Sequence, residues 1–424
     1  MRRRSLAIAF LCVTNLAAVD LQGATLSTWI QLGPGTELSA RVITEGEDCP
    51  VLRADGKPLV MQTRSAPEAP FGKVKDARFP VRSCEAAVPP GTRSLLLDDK
   101  PLPLLPANAR RALMLGDTGC RLSKSQIQDC NDPQAWPYAR IAARAALTRP
   151  DLVIHLGDYH YREEPCPGER VGCQGSPYGY GWDVWNADFF APSGPLLAAA
   201  PWLMVRGNHE DCERAAEGWF RFLDSGPMPH ECRDLTGFFV SRAGDLGLVV
   251  MDGAKTSGSQ GALAGLIDLL RHQFAQIQDQ IPAEAWLLTH RPVNAVLDSP
   301  VNAGRDNLQQ PAIGEDLPPS IRMIVSGHYH FFQALEFAGL RPPQLVVGTG
   351  GDMLTPIPLE PILGAHVNGA KVTAASVWSG FGFMLWDRNG AAWDGTLFDV
   401  QGTPVRRCQL AGHELHCAAE SANR

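Results

Sequence analysis

The stretch DLVIHLGDYHY, residues 151–161, joins a short apolar run to a dense cluster of polar side chains through one glycine. Its first half predicts a buried strand, because Leu, Val and Ile follow one another without a polar break. Gly157 lets the chain turn sharply as it leaves the strand, so the side chain of Asp158 points away from the sheet. Tyr161 comes three residues after that aspartate. Either this tyrosine only packs within the loop, or its phenol oxygen is a metal ligand.

Four other apolar runs end in the same way, in the polar clusters GDTG (residues 116–119), GNHE (207–210), LLTH (287–290) and GHYH (327–330). Between these runs, residues 137–150 and 261–281 have the apolar periodicity of helices, the first stopped by Pro150. Strands that alternate with helices predict an α/β domain. Ligands bind beyond the carboxyl ends of the strands in such sheets, so we expect the five clusters to converge in one crevice.

The five clusters together carry two aspartates, one tyrosine, one asparagine and three histidines, namely Asp117, Asp158, Tyr161, Asn208, His290, His328 and His330. A Gly-Asp pair alone is usually a turn, and a single histidine is usually packed in a core. Five such clusters in order, each after a buried strand, are a much stronger signal. Hard oxygen donors mixed with imidazoles suit a pair of first-row transition metals, so the sequence predicts a binuclear metal site.

The chain before residue 110 has a different pattern. In residues 25–108, short apolar runs are separated by Gly and Pro about every ten positions, which predicts a small all-β sandwich domain. The α/β domain is expected to occupy residues 109–424. Near its end, residues 380–400 predict an antiparallel hairpin through Asn389 and Gly390, followed by a disulfide-stapled tail.

The ordered set GDxG, GDxxY, GNH[ED], xxxH and GHxH resembles the metallophosphoesterases related to calcineurin, and among them the purple acid phosphatases. The resemblance covers about residues 110–400. It implies a two-sheet α/β/β/α sandwich with both metals at the strand ends. One metal, expected to be Fe(III), would take Asp117, Tyr161 and His330. The other, a divalent Fe, Zn or Mn ion, would take Asn208, His290 and His328, with Asp158 bridging the two.

The tyrosine is where this chain departs from most of that superfamily. Other metallophosphoesterases begin with Asp-x-His, whose histidine binds the first metal, whereas this chain has Gly119 at that position. The resemblance implies that Tyr161 fills the vacancy. A phenolate is a hard anionic donor that favours a trivalent ion, and its charge transfer to Fe(III) would colour the protein purple.

The resemblance also implies the chemistry. Two neighbouring cations lower the pKa of a water, and the resulting hydroxide attacks phosphorus in line. His209, next to the candidate ligand Asn208, would hydrogen-bond the phosphate or protonate the leaving oxygen, or it would only orient the ligands. The expected activity is an acid phosphatase acting on a small phosphorylated substrate. A phosphodiesterase or nucleotide pyrophosphatase with the same site is an alternative, as is a binding module with a relict site.

Three further segments have weaker signals. RPVNAVLDSP, residues 291–300, lacks the histidines that plant members place near the leaving group, so Arg291 is a candidate substrate contact. The insertion at residues 161–192 is rich in aromatic residues, which either wall the pocket or pack on the core. GTGGDM, near Gly348, lacks the GK[ST] ending of a phosphate-binding loop and reads as a turn.

The N terminus and the cysteines indicate export. Residues 1–24 read as a signal peptide with weak twin-arginine character, and no other segment is long and apolar enough to span a membrane. Without it, three arginines and one aspartate are lost and the formal charge falls from −7 to −9, which argues against nucleic acid as a partner. The oligomeric state is left open. The protein is therefore expected to be secreted or periplasmic, where disulfides persist. Its ten remaining cysteines are expected to pair locally as 49–84, 120–130, 166–173, 212–232 and 408–417.

Overall fold

A computed structural model describes residues 24–69, 71, 77–255, 260–297, 308–313, 317–357 and 361–420. Residues 1–23 of the predicted signal peptide lie outside this part of the chain. The strands are β1 (Thr25–Leu32), β2 (Leu38–Thr44), β3 (Val51–Ala54), β4 (Lys57–Val60), β5 (Gln62–Ser65), β6 (Arg82–Ala87), β7 (Leu95–Leu97), β8 (Lys100–Pro101), β9 (Arg111–Leu115), β10 (Leu152–His155), β11 (Trp202–Met204), β12 (Phe238–Ala243), β13 (Leu246–Met251), β14 (Ala285–Thr289), β15 (Ile321–Ser326), β16 (Phe332–Phe337), β17 (Gln344–Val347), β18 (His366–Val367), β19 (Ala370–Trp378), β20 (Gly382–Asn389), β21 (Ala392–Asp399), β22 (Pro404–Ala411) and β23 (Glu414–Ala419).

The helices are fewer and mostly short. They are α1 (Tyr138–Leu147), α2 (Trp182–Trp185), α3 (Ala191–Leu197), α4 (Ala216–Gly218), α5 (Gln260–Ile277) and α6 (Gln309–Ile313). Turns of π-helix at Asn186–Phe190 and Trp219–Leu223 extend α2 and α4. Across the described residues, no helix combines the length and the apolar character needed to cross a membrane.

Two large sheets face each other and form the expected α/β/β/α sandwich. The first has the strand order β23-β22-β21-β20-β9-β10-β11-β1-β2-β6-β5, and the second has the order β12-β13-β14-β15-β17-β16-β19-β18. Strands β9, β10 and β11 run parallel in the first sheet, as do β13, β14, β15 and β17 in the second. The carboxyl ends of these strands carry the five polar clusters.

The core shows why the central strands are apolar on both sides. In β9, Met114 packs between the two sheets, while its neighbours Leu113 and Leu115 pack under the helices on the outer face. In β13, Val250 likewise faces the first sheet, and Val249 faces α5 and α6. Successive strand residues point to opposite faces, so a strand buried on both faces cannot show a polar alternation.

The N-terminal region is all-β, as the sequence predicts, but it shares a sheet with the rest of the chain. Strand β1 pairs with β11 in parallel, with Gln31 opposite Trp202, and β2, β6 and β5 continue the first sheet beyond it. A separate four-stranded sheet, β4-β3-β7-β8, packs on these strands around Ile30, Val42 and Leu52. One layer of the small sandwich is therefore the edge of the large sheet, and the domain boundary at residue 108 stays a prediction.

The C-terminal part confirms the predicted antiparallel ending. Strands β20 and β21 form a hairpin in which Asn389 pairs with Ala392, so Gly390 and Ala391 make the turn, one residue further along than predicted. Gly390 adopts φ +61°, the left-handed region that favours glycine. All five disulfides join the predicted pairs, Cys49–Cys84, Cys120–Cys130, Cys166–Cys173, Cys212–Cys232 and Cys408–Cys417.

Candidate metal centre

The phenol of Tyr161 lies in the middle of one group of candidate ligands. Its oxygen is 2.8 Å from Asp158 Oδ2, 3.1 Å from Asp117 Oδ1 and 3.1 Å from His330 Nε2. All four side chains are buried. Three of them follow β9 and β10 of the first sheet, whereas His330 follows β15 of the second, so the group forms where the ends of the two sheets meet.

A second group lies beside the first and shares one carboxylate with it. His290 Nε2 is 3.1 Å from Asp158 Oδ2 and 3.2 Å from Asn208 Oδ1. The candidate ligand atoms of Asp158, His290 and His328 all lie within 4.8 Å of one another, so these three can hold a metal ion. The same Asp158 oxygen thus contacts both Tyr161 and His290, which is the position that a bridging ligand requires.

Three of these residues have an unusual backbone conformation. Asp117, Asp158 and His328 have φ values of +58°, +57° and +72°, in the left-handed region that costs a non-glycine residue about 1–3 kcal/mol. The buried carboxylate of Glu210 helps to hold this backbone by accepting hydrogen bonds from the N–H groups of Asp158 at 3.1 Å and Tyr159 at 2.8 Å. Hydrogen bonds from buried backbone groups thus fix the loop after β10.

Gly119, where the proteins that the motifs resemble mostly have a histidine, packs directly against the tyrosine. A Cβ atom at this position would lie 2.9 Å from Cδ2 of Tyr161, 2.9 Å from its backbone nitrogen and 2.9 Å from the carbonyl oxygen of Tyr159. The phenol ring therefore occupies the space that a side chain at residue 119 would need. A side chain at residue 119 and the present position of Tyr161 exclude each other.

The aromatic insertion at residues 161–192 supports the site from outside. Its Trp185 and Phe189 are buried in the core under the first sheet. Of the two predicted roles for the aromatic residues, walling the pocket or packing on the core, these two have the second. Between them, Asp188 accepts hydrogen bonds from the N–H groups of Tyr161 at 2.8 Å and of Cys120 at 3.1 Å, and it pairs with Arg162 at 2.5 Å. Asp188 therefore ties the two loops together at Tyr161.

His209 lies at the edge of the two groups. Its N–H donates to Asp158 Oδ1 at 2.9 Å, and its ring centroid is 4.0 Å from that of Tyr161. The ring nitrogen Nδ1 is 2.9 Å from a carboxylate oxygen of Glu163, which also contacts Arg214 at 3.7 Å. Although burial raises the pKa of Glu163, His209 and Arg214 lower it to about 2, so this carboxylate stays ionised beside His209.

A second charged pair, Arg121 and Asp352, lies next to Tyr161 and was not predicted from the sequence. Arg121 lies with its guanidinium carbon 4.6 Å from the centroid of the Tyr161 ring, and its Nε donates to Asp352 Oδ1 at 3.1 Å. Asp352 belongs to the GTGGDM segment, whose sequence predicts only a turn. Arg291, the candidate substrate contact, has Nη1 at 3.1 Å from His328 Nε2.

The electrostatics of the site fit a pair of cations. Burial raises the pKa of Tyr161 well above its usual value, and the carboxylates of Asp158 and Asp117 raise it further. Burial lowers the pKa of His290, but the charge and hydrogen bond of Asp158 and the charge of Asp117 together outweigh it and raise the pKa to about 9. A phenol among carboxylates gives up its proton only when positive charge is brought to it, and oxygen and imidazole donors are ligands that first-row metals accept.

The two-sheet sandwich, with this donor set at its strand ends, defines the metallophosphoesterase class. Residues 111–332 match the family model of the calcineurin-like phosphoesterases, which covers just over half of the chain. The chain belongs to the calcineurin-like phosphoesterase family. A comparison with curated proteins found no significant match.

Two solved structures are similar in fold over nearly the whole chain. A purple acid phosphatase, PPD1, from seeds of yellow lupin (Lupinus luteus) is 14% identical, with a TM-score of 0.56 over 91% of this chain and 74% of that one. PhoD is 12% identical, with a TM-score of 0.52 over 94% of this chain and 92% of that one. At such identities the similarity shows the fold alone.

Proposed function

We propose that this phosphoesterase is a binuclear metal-dependent phosphomonoesterase of the acid phosphatase type. The observation that carries the proposal is the position of the Tyr161 oxygen, which lies within 3.1 Å of Asp117, Asp158 and His330. A phenol oxygen among two carboxylates and an imidazole is placed as a metal ligand would be. A tyrosine at this place distinguishes the purple acid phosphatases that the sequence motifs resemble.

Each metal would have its own set of ligands. Fe(III) would be held by Asp117, Tyr161 and His330, a divalent Fe, Zn or Mn ion by Asn208, His290 and His328, and both by Asp158. When bound, such a pair of cations supplies a water of lowered pKa and neutralises the charge that develops on the phosphoryl group.

The protein side chains would do the remaining work on a small phosphorylated substrate. With Nδ1 held beside Glu163, the ring of His209 can offer Nε2 to the phosphate or to the leaving oxygen. Arg291 lies next to His328 and is half-buried, so its guanidinium can reach an anionic substrate from the side of the divalent metal. The five disulfides support export to the periplasm or the cell exterior, because such bonds persist in oxidising compartments.

The experiment is elemental analysis and an absorption spectrum of the purified protein, followed by rates on a panel of phosphate monoesters, diesters and nucleotide pyrophosphates. We expect iron, a visible band and a preference for monoesters at acidic pH. A preference for diesters or pyrophosphates would instead identify a phosphodiesterase or pyrophosphatase with the same site. Protein that binds no metal would leave only a binding module.

Two variants assign the ligands. Tyr161→Phe should lose the visible band and weaken iron binding while the fold survives, whereas Tyr178→Phe, at an exposed tyrosine of the same insertion, should keep both. His290→Ala should reduce turnover by orders of magnitude through loss of the divalent metal. An unchanged spectrum in the Tyr161 variant would show that this phenol binds no iron.

A further inference from the structure

Arg121 and Asp352 form an ion pair that touches two proposed ligands without belonging to either ligand set. Two nitrogens of the Arg121 guanidinium contact the two carboxylate oxygens of Asp352, with Nε 3.1 Å from Oδ1. The side chain of Asp352 is fully buried, and that of Arg121 is only 15% exposed. Such a pair is shielded from solvent, so its charges act strongly on their neighbours.

Each member of the pair lies against a different ligand. The guanidinium carbon of Arg121 is 4.6 Å from the centroid of the Tyr161 ring. The Oδ2 atom of Asp352 is 3.4 Å from Nδ1 of His330, whose closest acceptor is the carbonyl oxygen of Met353 at 2.8 Å. The pair also reaches the third ligand of the same set, because the Asp352 N–H donates to the carbonyl oxygen of Asp117 at 2.9 Å.

The two charges should act in opposite directions. A cation over the face of an aromatic ring stabilises negative charge in that ring, so it makes a phenolate a weaker donor. A carboxylate beside an imidazole strengthens the imidazole as a donor. We propose that the Arg121–Asp352 pair tunes the centre held by Asp117, Tyr161 and His330, with Arg121 weakening donation from the tyrosine and Asp352 strengthening donation from the histidine. This inference rests on the proposed iron–tyrosine centre.

Different experimental results are expected if the Arg121–Asp352 pair only stabilises the fold. Asp352 lies in the turn after β17, and Arg121 lies in the loop after β9, so the pair also joins two segments far apart in sequence. If that were its only role, the two single variants would lower stability alike and leave the electronic properties of the centre unchanged. Opposite shifts of the Fe(II) to Fe(III) ratio in the two variants are therefore the informative result.

The experiment compares Arg121→Gln, Asp352→Asn and the double variant with the wild-type protein, all loaded with iron. Arg170→Gln is the matched control, since Arg170 pairs with Asp129 at 2.6 Å in the same region but is 42% exposed. The readouts are the wavelength of the tyrosine-to-iron band and the ratio of Fe(II) to Fe(III) in a fixed redox buffer. Circular dichroism and thermal melting show whether each variant is folded.

Arg121→Gln should move the band to longer wavelength and lower the Fe(II) to Fe(III) ratio by about tenfold, because a cation near the ligands favours the less charged ion. Asp352→Asn should instead raise the Fe(II) to Fe(III) ratio, because a weaker histidine donor favours the less charged ion, and the double variant should have a ratio between the two. Folded single variants with unchanged Fe(II) to Fe(III) ratios, or with ratios shifted in the same direction, would overturn the inference while the wild-type band still supported the iron centre. A wild-type protein without any such band would overturn the proposed centre and this inference together.

Discussion

The contact between Gly119 and Tyr161 can be tested by adding a single methyl group. In Gly119→Ala, the new Cβ would lie 2.9 Å from three atoms, of which only Cδ2 of Tyr161 belongs to a side chain. The other two are backbone atoms of residues 159 and 161, so no rotamer change can remove the clash. An ordinary contact begins at 3.4 Å, so the loop after β10 must move by about 0.5 Å.

The expected cost follows from the packing of this site. Overpacking a rigid, buried contact costs about 1–3 kcal/mol, so the free energy of unfolding should fall by that amount. The phenol oxygen now makes three contacts between 2.8 and 3.1 Å, and a movement of the loop would lengthen at least one of them. We therefore expect the variant to bind iron more weakly and to show a weaker visible band.

Urea unfolding and an iron titration measure both effects. Gly168→Ala is the control, because a Cβ at this exposed glycine of the same insertion meets no atom within 4 Å. The control should stay within about 0.5 kcal/mol of the wild type. A Gly119→Ala protein with wild-type stability and a wild-type band would refute the close packing of Gly119 and Tyr161.

Three further predictions follow from the residues that support the site. Asp188→Ala leaves Arg162 unpaired in the core, so it should lower the free energy of unfolding by about 3–5 kcal/mol in urea, whereas Asp183→Ala on the surface should not. Glu163→Gln removes the charge beside His209, so it should lower kcat about 10-fold or more with little change in KM; an equal loss after Glu164→Gln would contradict this role. Chelation should lower the Tm of the loaded protein, since the ligands converge only in the folded state; an unchanged Tm would mean that no ion was bound.

The sequence predicted the strand ends well because each carries its own local signal. A glycine after an apolar run marks the point where a chain leaves a sheet, and the motif order then determines which clusters meet. The disulfide pairs could also be predicted, since each joins cysteines that are near in sequence. The largest separation is 35 residues, between Cys49 and Cys84.

The features that the sequence does not predict depend on contacts between segments that are far apart in the chain. Nothing in β1 indicates that it pairs with β11, because an edge strand and a strand inside a sheet can have the same apolar pattern. Asp352 likewise looks like a turn residue until Arg121, 231 positions earlier, is placed beside it. Asp188 is a further case, since it occurs in an aromatic segment and its partners are mainly backbone N–H groups, which every sequence has.

Distant contacts of this kind also hold the strained backbone of the loop after β10. Asp117, Asp158 and His328 adopt left-handed backbone conformations that each cost about 1–3 kcal/mol. Glu210 and Asp188 are not proposed ligands. Their side chains accept hydrogen bonds from backbone N–H groups of the loop that carries Asp158 and Tyr161. Because these buried hydrogen bonds already fix this loop, an arriving ion need not order it. Removing either carboxylate should therefore weaken metal binding even though neither touches the metal.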